Sequence, residues 1–275
     1  MKRVDGRTLA ASIRADVAAA IAAKNLQPRL GVLLVGEDPA SRLYVQLKEK
    51  AAAEVGIATD IQRLPATTSD EDLIRCIDAW NADPAIHGIL VQLPLPEGHD
   101  TNLIIERIDP KKDADGFHPS NIEALLSGTG TIISPLHEGI LRLIAATDIR
   151  VNASHVSIIG NGDIFIRPLA YLLTKAGAIV TTMQPDDLQR RELLTSQIII
   201  TAVGKPNLVS QHVVASGTCV IDVGTSTLAN GHVVGDVDAA SLEPLEGWLT
   251  PVPGGVGPMT IAMLLKNVVQ LSEQR

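Results

Sequence analysis

The sequence predicts an α/β protein of two lobes, in which helices pack on parallel β-sheets. Strand-like and helix-like segments alternate along the chain, which is typical of βαβ units. An aliphatic core is typical of helices that pack on a parallel sheet. Hydrophobic residues make up 45% of the 275 residues, whereas Phe, Trp and Tyr make up only 2%, so the core is expected to be aliphatic.

The first lobe is predicted from helix and strand periods that follow one another up to residue 93. Its first helix follows Asp5-Gly6 and carries an apolar residue every four positions, namely Leu9, Ile13, Val17 and Ile21. The next segments are, in order, a strand at 30–35, a turn at 36–39, a helix at 41–55, a strand at 58–64, a helix that begins within 67–72 and a strand at 88–93.

A second series of segments predicts a Rossmann-type, dinucleotide-binding lobe. Its segments are, in order, a helix at 137–147, a strand at 156–159, a glycine turn at 160–162, a helix at 163–176, strands at 178–182, 197–201 and 218–223, and a last helix at 259–272. We therefore expect an N-terminal α/β catalytic lobe over 1–135, a Rossmann-like lobe over 136–258 and a cleft between them. The C-terminal helix, 259–275, is expected to pack back on the N-terminal lobe.

Charge and composition exclude several classes of protein. A formal net charge of -8 argues against a nucleic-acid binder, which needs a basic face for phosphates. No signal-peptide pattern and no apolar run long enough to cross a bilayer is present, so we expect no membrane partner and a cytoplasmic location. Cys76 and Cys219 lie apart in separate apolar runs, which indicates buried thiols in a reducing compartment, and we predict no metal site.

Tyr44 and Lys48 are the first candidate pair for chemistry, because they lie four residues apart and project from one helix face. The apolar stripe beside them is expected to consist of Leu43, Leu47, Ala51 and Val55. Apolar surroundings lower the pKa of a lysine and allow it to exchange protons near neutral pH. The spacing is equally compatible with a surface lysine whose stem covers a core tyrosine.

Polar residues also lie near the end of the strand at 88–93. Gln92 is at its carboxyl end, the edge at which open parallel sheets bind ligands, although it could instead cap the following loop. Asp113 and Asp115 could form a metal site or an acidic turn, and the spacing favours a turn because no further ligand is near. His118 is expected to be a hydrogen-bonded polar side chain and not a ligand.

Two glycine-rich stretches are candidates for ligand contact. Gly160-Asn161-Gly162-Asp163-Ile164-Phe165 lies between a predicted strand and a predicted helix, but it lacks the third glycine of G-x-G-x-x-G, which leaves an altered nucleotide site as one interpretation. The stretch 251–260 contains three glycines that let a ligand approach the backbone, and a helix N-terminus follows it. A plain tight loop would have the same composition.

Taken together, these motifs resemble the bifunctional methylenetetrahydrofolate dehydrogenase/cyclohydrolase (FolD) family over nearly the whole chain. The matching stretches are VGEDPASRLYVQLKEKAAAEVGI from Val35, GILVQLPLP from Gly88, KKDADGFHPSN from Lys111, TAVGKPNLV from Thr201, VIDVG from Val220, GDVD from Gly235 and TPVPGGVGPMTIAMLLKN from Thr250. The resemblance implies oxidation of 5,10-methylenetetrahydrofolate and hydrolysis of the methenyl product to 10-formyltetrahydrofolate.

The resemblance also implies the roles of individual residues. Lys48 would be the principal acid/base, Tyr44 would position it, Gln92 would hold the folate and tune Lys48, and Asp115 would hydrogen-bond the pterin ring. Leu93, Pro253, Gly254 and Gly255 would line the substrate site. NADP is the implied cofactor, bound by Gly160, Asn161, Gly162, Asp163, Thr201, Ala202, Gly204, Thr225, Gly257 and Thr260. A homodimer formed through the Rossmann lobe is implied as well.

The departures from the family lie on the dinucleotide side. The family usually reads P-C-T-P-x-G where this chain has Ser134-Pro135-Leu136-His137-Glu138-Gly139. Its nucleotide loop reads G-R-S-x-x-V-G-x-P, so Asn161 and Gly162 replace the arginine and serine that would bind the NADP 2′-phosphate, and Ile166 replaces a glycine.

Three hypotheses follow from these departures. NADP binding is weakened and Asp186 or Asp187 accepts a ribose 2′-hydroxyl, which favours NAD. Alternatively, Phe165 and Ile166 block the pyrophosphate and only cyclohydrolase chemistry remains. The third hypothesis is a folate-binding protein without turnover, against which the intact Lys48 argues.

Overall fold

The structure of the protein, a computed structural model, describes residues 1–274 and confirms the predicted α/β class. Its elements are, in chain order, β1 (Lys2–Arg3), α1 (Gly6–Lys24), β2 (Arg29–Val35), α2 (Pro39–Val55), β3 (Ala58–Leu64), α3 (Asp70–Ala82), β4 (Gly88–Val91), α4 (Thr101–Glu106), α5 (Pro119–Leu126), α6 (Pro135–Ala145), β5 (His155–Gly160), α7 (Asp163–Lys175), β6 (Ile179–Met183), α8 (Arg190–Thr195), β7 (Ile198–Ala202), β8 (Cys219–Asp222), β9 (Ser226–Thr227), β10 (Val233–Val234), α9 (Ala239–Leu242), β11 (Trp248–Leu249) and α10 (Val256–Ser272).

The chain forms two compact units. The first unit consists of Ala11–Pro135 together with the chain from Ile261 onward, and the second unit consists of Met1–Ala10 and Leu136–Thr260. The prediction that residues 1–135 form one lobe is therefore wrong for the first ten residues. They belong to the second unit because β1 pairs in parallel with β11, with the Lys2 amide donating to the Gly247 carbonyl at 2.8 Å.

The first unit is built on a three-stranded parallel sheet in the order β3-β2-β4. Aliphatic side chains fill both faces of the central strand β2, as the continuous apolar run predicts. Gly31 lies at a close approach in this strand, since a Cβ there would be 2.8 Å from the Trp80 ring. The sheet brings the carboxyl ends of β2 and β4 to one edge, where Gln92 follows β4.

The second unit contains a six-stranded parallel sheet in the order β1-β11-β8-β7-β5-β6. The chain goes from β5 to β6 on one side and then returns to β7 on the other, so the strand order reverses between β5 and β7. Such a switch point is where open α/β sheets bind nucleotides. Gly160 and Ala202 are register partners at this point, so two of the predicted cofactor residues are adjacent.

The longer predicted segments are all present, with ends that differ by a few residues. Several short elements were not predicted: β1, α4, α5, α8, β9, β10, α9 and β11. No described helix is long and apolar enough to cross a membrane.

Candidate functional site

Helix α2 places Lys48 in the interior of the first unit. The helix begins where the Asp38 carboxylate accepts from the Ser41 amide at 2.7 Å, and it ends at Gly56, which adopts a left-handed conformation with φ +88°. Its buried residues are Ser41, Val45, Lys48, Ala51, Ala52 and Val55. The predicted stripe is wrong for Leu43 and Leu47, which are 54% and 43% exposed. A serine and a lysine occupy the buried face, so hydrophobicity alone does not identify it.

The Lys48 ammonium is held by Gln92. Its Nζ donates to Gln92 Oε1 at 2.9 Å, and the Gln92 amide nitrogen donates in turn to the Leu93 carbonyl at 2.7 Å, which orients the amide. Lys48 is only 9% exposed. Burial lowers the pKa of Lys48, and the nearby carboxylate of Asp115 opposes this shift in part. The chain thus holds an amine that can lose its proton more readily than an ordinary lysine.

Asp115 lies in the segment that follows the isolated bridge between Ile89 and Asp113. Part of the residue reaches the surface, yet the protein packed around its carboxyl group raises the pKa of Asp115 to about 6. Lys48 lowers this pKa and Asp113 raises it, both by charge. A carboxyl group and an amine whose pKa values have moved toward each other are suited to proton transfer near neutral pH.

Asp113 and His118 hold the turn around Asp115. The Asp113 carboxylate accepts from the amides of Gly116 and His118 and from the Asn121 side chain, each at 2.9 Å. The imidazole of His118 accepts from the Ser120 amide and caps the start of α5. The predictions of a turn and of a hydrogen-bonded His118 are confirmed. Among residues 1–274, no group of three His, Cys, Asp or Glu side chains could hold a metal ion.

Tyr44 lies one helical turn before Lys48 and is half-buried. The structure therefore brings together Lys48 and Gln92 by a hydrogen bond, Asp115 by charge and Tyr44 by helical spacing. Leu93 follows Gln92 directly and is joined to Pro94 by a cis peptide bond.

The second unit contains the predicted turn Pro253-Gly254-Gly255. Gly254 has a φ of +119°, a conformation that favours glycine, and the Gly255 amide donates to the Pro251 carbonyl at 2.7 Å. Gly6 lies directly against this turn, because a Cβ on Gly6 would be 1.9 Å from the Gly255 carbonyl oxygen. The start of α1 thus fixes the turn from which α10 begins.

The dinucleotide loop lies between β5 and α7, where Gly162 caps the helix with a φ of +89°. No side-chain hydrogen bond caps α7, and a Cβ on Gly162 would meet no atom within 4 Å. Free amides at a helix N-terminus with open space beside them fit a pyrophosphate. The fit is less complete at Asp163, whose carboxylate stands in the first turn, and at Gly160, where the Phe165 ring is 3.0 Å from a Cβ position.

The two divergent segments of the sequence contact each other through His137 and Phe165. The His137 imidazole Nε2 lies 3.0 Å from the Phe165 carbonyl, and the two ring centroids are 5.6 Å apart. Burial lowers the pKa of His137 to about 4, so the ring is neutral at pH 7 and Nε2 is the donor. The replacements at these distant positions are physically coupled, which sequence reasoning missed because nothing in the pattern joins them.

A buried carboxylate, Asp236, holds the loop that follows β7. It accepts from the Thr201 hydroxyl, the Val203 amide and the Lys205 amide, each at 2.8 Å. A Cβ on Gly224 would collide with this carboxylate at 2.1 Å. Sequence reasoning did not single out Asp236, although an aspartate beside glycine in GDVD was a usable signal.

Asp222, at the end of β8, is a second buried carboxylate that accepts hydrogen bonds from backbone amides. Its carboxylate accepts from the amides of Gly224, Asp236 and Val237 at 2.9 to 3.1 Å. Burial raises the pKa of Asp222 to about 6, while these amides oppose the rise. The two carboxylates hold the end of β7 and the loops after β7 and β8, and these segments carry the predicted cofactor residues Thr201, Ala202, Gly204 and Thr225.

These features define a class of protein: an α/β enzyme with a buried lysine and carboxylate in one unit and a Rossmann-type nucleotide site in the other. The chain matches the family model for the tetrahydrofolate dehydrogenase/cyclohydrolase catalytic domain over residues 4–115. It matches the model for the NAD(P)-binding domain of the same family over residues 135–275.

Known relatives are similar to this chain in sequence and structure along nearly its whole length. The bifunctional protein FolD of Acidiphilium cryptum is 46% identical over 268 residues, which are 97% of this chain and 96% of that protein. The crystal structure of FolD from Campylobacter jejuni has a TM-score of 0.95 at 38% identity and covers 100% of this chain and 99% of that one. The Trypanosoma brucei FolD, solved with NADP and an inhibitor, has a TM-score of 0.93 at 33% identity, covering 98% and 96%.

The chain belongs to the tetrahydrofolate dehydrogenase/cyclohydrolase, or FolD, family. The predicted family, the enzymatic character and the expectation of a nicotinamide dinucleotide as cofactor are thereby confirmed.

Proposed function

We propose that this protein catalyses both reactions of its family: oxidation of 5,10-methylenetetrahydrofolate, and hydrolysis of 5,10-methenyltetrahydrofolate to 10-formyltetrahydrofolate. The observation that carries the proposal is the hydrogen bond of 2.9 Å between Lys48 Nζ and Gln92 Oε1, with Asp115 close enough to act on the amine by charge. A protein that only binds folate does not need an amine that is buried and has a lowered pKa.

Lys48 acts as general base and then as general acid in the hydrolysis. Its neutral amine accepts a proton from the water molecule whose oxygen bonds to the methenyl carbon. When the bond between that carbon and N5 breaks, the ammonium of Lys48 returns the proton to N5. One further proton leaves to solvent, so that the cationic substrate and water give the neutral formyl product. General acid–base catalysis of this kind contributes about 10²–10⁴-fold to a rate.

The neighbours of Lys48 set its state and hold the substrate. Gln92 accepts the ammonium hydrogen bond and orients the amine. Tyr44, one helical turn earlier, would help to position the amine and the substrate. Asp115 hydrogen-bonds the pterin ring. Leu93, Pro253, Gly254 and Gly255 contribute backbone contacts to the substrate.

For the oxidation, a nicotinamide dinucleotide would supply the hydride acceptor for the methylene carbon. The residues that would hold it are Gly160, Asn161, Gly162, Asp163, Thr201, Ala202, Gly204, Thr225, Gly257 and Thr260. The free amides of α7 suit its pyrophosphate, whereas no arginine stands at position 161 for a 2′-phosphate. Loss of a charge-assisted bond costs about 1.5–3 kcal/mol. We infer a weakened preference for NADP, with exposed Asp186 or Asp187 available to the ribose 2′-hydroxyl of NAD.

The test separates the two reactions. Methenyltetrahydrofolate alone is given to the wild-type enzyme, to Lys48→Met and to Lys50→Met, a control at an exposed lysine of the same helix. We expect Lys48→Met to lose at least about 100-fold in the rate of hydrolysis. We expect Lys50→Met to keep the wild-type rate. Hydrolysis at the wild-type rate in Lys48→Met would show that another group is the acid/base.

The second arm supplies methylenetetrahydrofolate with either NADP or NAD. We expect a ratio of kcat/KM values for NADP over NAD close to one or below it. A large preference for NADP would refute the weakened 2′-phosphate site. Hydrolysis without oxidation by either dinucleotide would instead show that Phe165 and Ile166 block the cofactor.

Two further predictions, the oligomeric state and the cellular location, remain proposals. We infer a homodimer, which is consistent with the position of β6 at the sheet edge and with its exposed Ile179. A cytoplasmic location is consistent with the free thiols of Cys76 and Cys219.

A further inference from the structure

Lys112 is a fully buried cation in the segment that leads to Asp115. It is 1% exposed, whereas the adjacent Lys111 is on the surface. Its ammonium donates to the backbone carbonyls of Trp80, Asn81 and Asp83 at 2.6, 2.8 and 2.7 Å. An ammonium has three donors, and each of them has an acceptor here.

These three carbonyls belong to the end of helix α3 and its C-cap. The last carbonyls of a helix have no partner within the helix, and the helix dipole makes that end attractive to a cation. A buried ammonium also needs acceptors, because a desolvated charge without them is unfavourable. Lys112 and the end of α3 therefore satisfy each other, and the lysine is fixed in position.

Hydrogen bonds of the backbone connect Lys112 to the segment that precedes Asp115. The Ile89 amide donates to the Lys112 carbonyl at 2.6 Å, and the Ala114 amide donates to the Ile89 carbonyl at 3.2 Å. The Ala114 carbonyl accepts from the buried side chain of Asn267 at 3.0 Å. These hydrogen bonds hold residues 112–114 along β4, and Asp115 follows directly.

We propose that Lys112 is a positioning residue for the reaction, because its buried ammonium fixes the segment that holds Asp115 opposite Lys48. The charged groups that act on Asp115 are Lys48 from α2 and Asp113 from its own segment. Removing the anchor lets Asp115 move away from Lys48. The amine then loses the carboxylate that opposes the effect of burial. This inference rests on the proposed hydrolysis at Lys48.

The experiment compares Lys112→Met with Lys111→Met, a matched change at the neighbouring exposed lysine. For each, we would measure the free energy of unfolding and the pH dependence of kcat and KM for methenyltetrahydrofolate hydrolysis. We expect Lys112→Met to lose at least tenfold in kcat per folded molecule and to shift the ionisation seen in kcat to lower pH. The free energy of unfolding and the pH profiles of Lys111→Met should equal those of the wild type.

A lower stability of Lys112→Met with the wild-type kcat and pH profile would overturn the positioning role. If that variant does not fold, Lys112→Gln replaces it, since an amide keeps two donors without the charge. Failure of both to fold would show a purely structural role and would also overturn the inference. Asp115→Asn, measured in parallel, separates the two proposals: if it leaves hydrolysis intact, the assignment of the site is wrong, whatever Lys112 does.

Discussion

His137 is a buried, neutral imidazole, and its burial determines its charge. It is 1% exposed, and its folded-state pKa of about 4 lies below the ordinary value of 6.5. Between these pH values the unfolded chain binds a proton that the folded chain does not. The stability that His137 contributes is therefore present above pH 6.5 and is lost as the pH falls toward 4.

This pKa difference predicts that His137 lowers the free energy of unfolding by about 3 kcal/mol as the pH falls from 7 to 4. We expect His137→Gln, which cannot titrate and keeps a donor for the Phe165 carbonyl, to lose less stability between pH 7 and pH 4. Urea unfolding at several pH values measures the difference. His232→Gln, a change at an exposed histidine, should follow the wild type. Parallel curves for His137→Gln and the wild type would contradict the explanation.

At the scale of an element, helix α2 shows how a functional residue changes the amphipathic pattern. Val45 is 1% exposed and packs in the core cluster of the first unit, whereas Leu47 is 43% exposed. The buried face includes Lys48, so the sequence pattern alone favours the wrong side of the helix. One turn of this helix therefore contains both a core residue, Val45, and the candidate acid/base, Lys48.

The register of α2 predicts opposite outcomes for two neighbouring truncations. Val45→Ala leaves a cavity and should lower the free energy of unfolding by about 1–3 kcal/mol. Leu47→Ala removes exposed atoms and should change it by less than about 0.5 kcal/mol. Chemical denaturation measures the free energy of unfolding of both variants. A larger loss for Leu47→Ala than for Val45→Ala would show that the opposite face of α2 packs on the core.

At the scale of the whole molecule, the first residues of the chain complete the sheet of the second unit. Besides the Lys2 bond to Gly247, the Val4 amide donates to the Leu249 carbonyl at 3.0 Å, and Val4 is buried. The chain thus leaves the second unit within α1 and returns to it at Leu136. Each unit has a hydrophobic cluster of its own, and we expect damage to one sheet to be local.

Deleting residues 1–4 should therefore loosen the second unit selectively. We expect faster hydrogen exchange in β11 and β8, while β2 and β4 keep their protection, since exchange reports local stability. Arg3→Gln, which keeps the backbone of β1 and changes an exposed side chain, is the control. Equal loss of protection in all four strands would show that the units do not unfold separately.

Much of this organisation was predictable from the sequence, and the failures have common physical causes. The strands β2, β4, β5 and β7 are apolar runs bounded by turn residues, and local pattern is sufficient to identify them. Lys48, Gln92 and Asp115 were identified as candidates, but the distances that make them a site join segments far apart in the chain. The pairing of β1, with two charged residues, depends on a partner 246 positions later, as the register of Lys2 with Trp248 shows.

By itself, the sequence determined the α/β class, the succession of the longer elements and the family, because these depend on periodicity and on contiguous motifs. The tertiary structure alone decided which face of α2 is buried, which unit the N-terminus joins, and which partners the buried groups Lys48, Lys112, His137, Asp222 and Asp236 have. The reason is that burial and charge depend on what surrounds a side chain in space. Local order along the chain does not specify those neighbours.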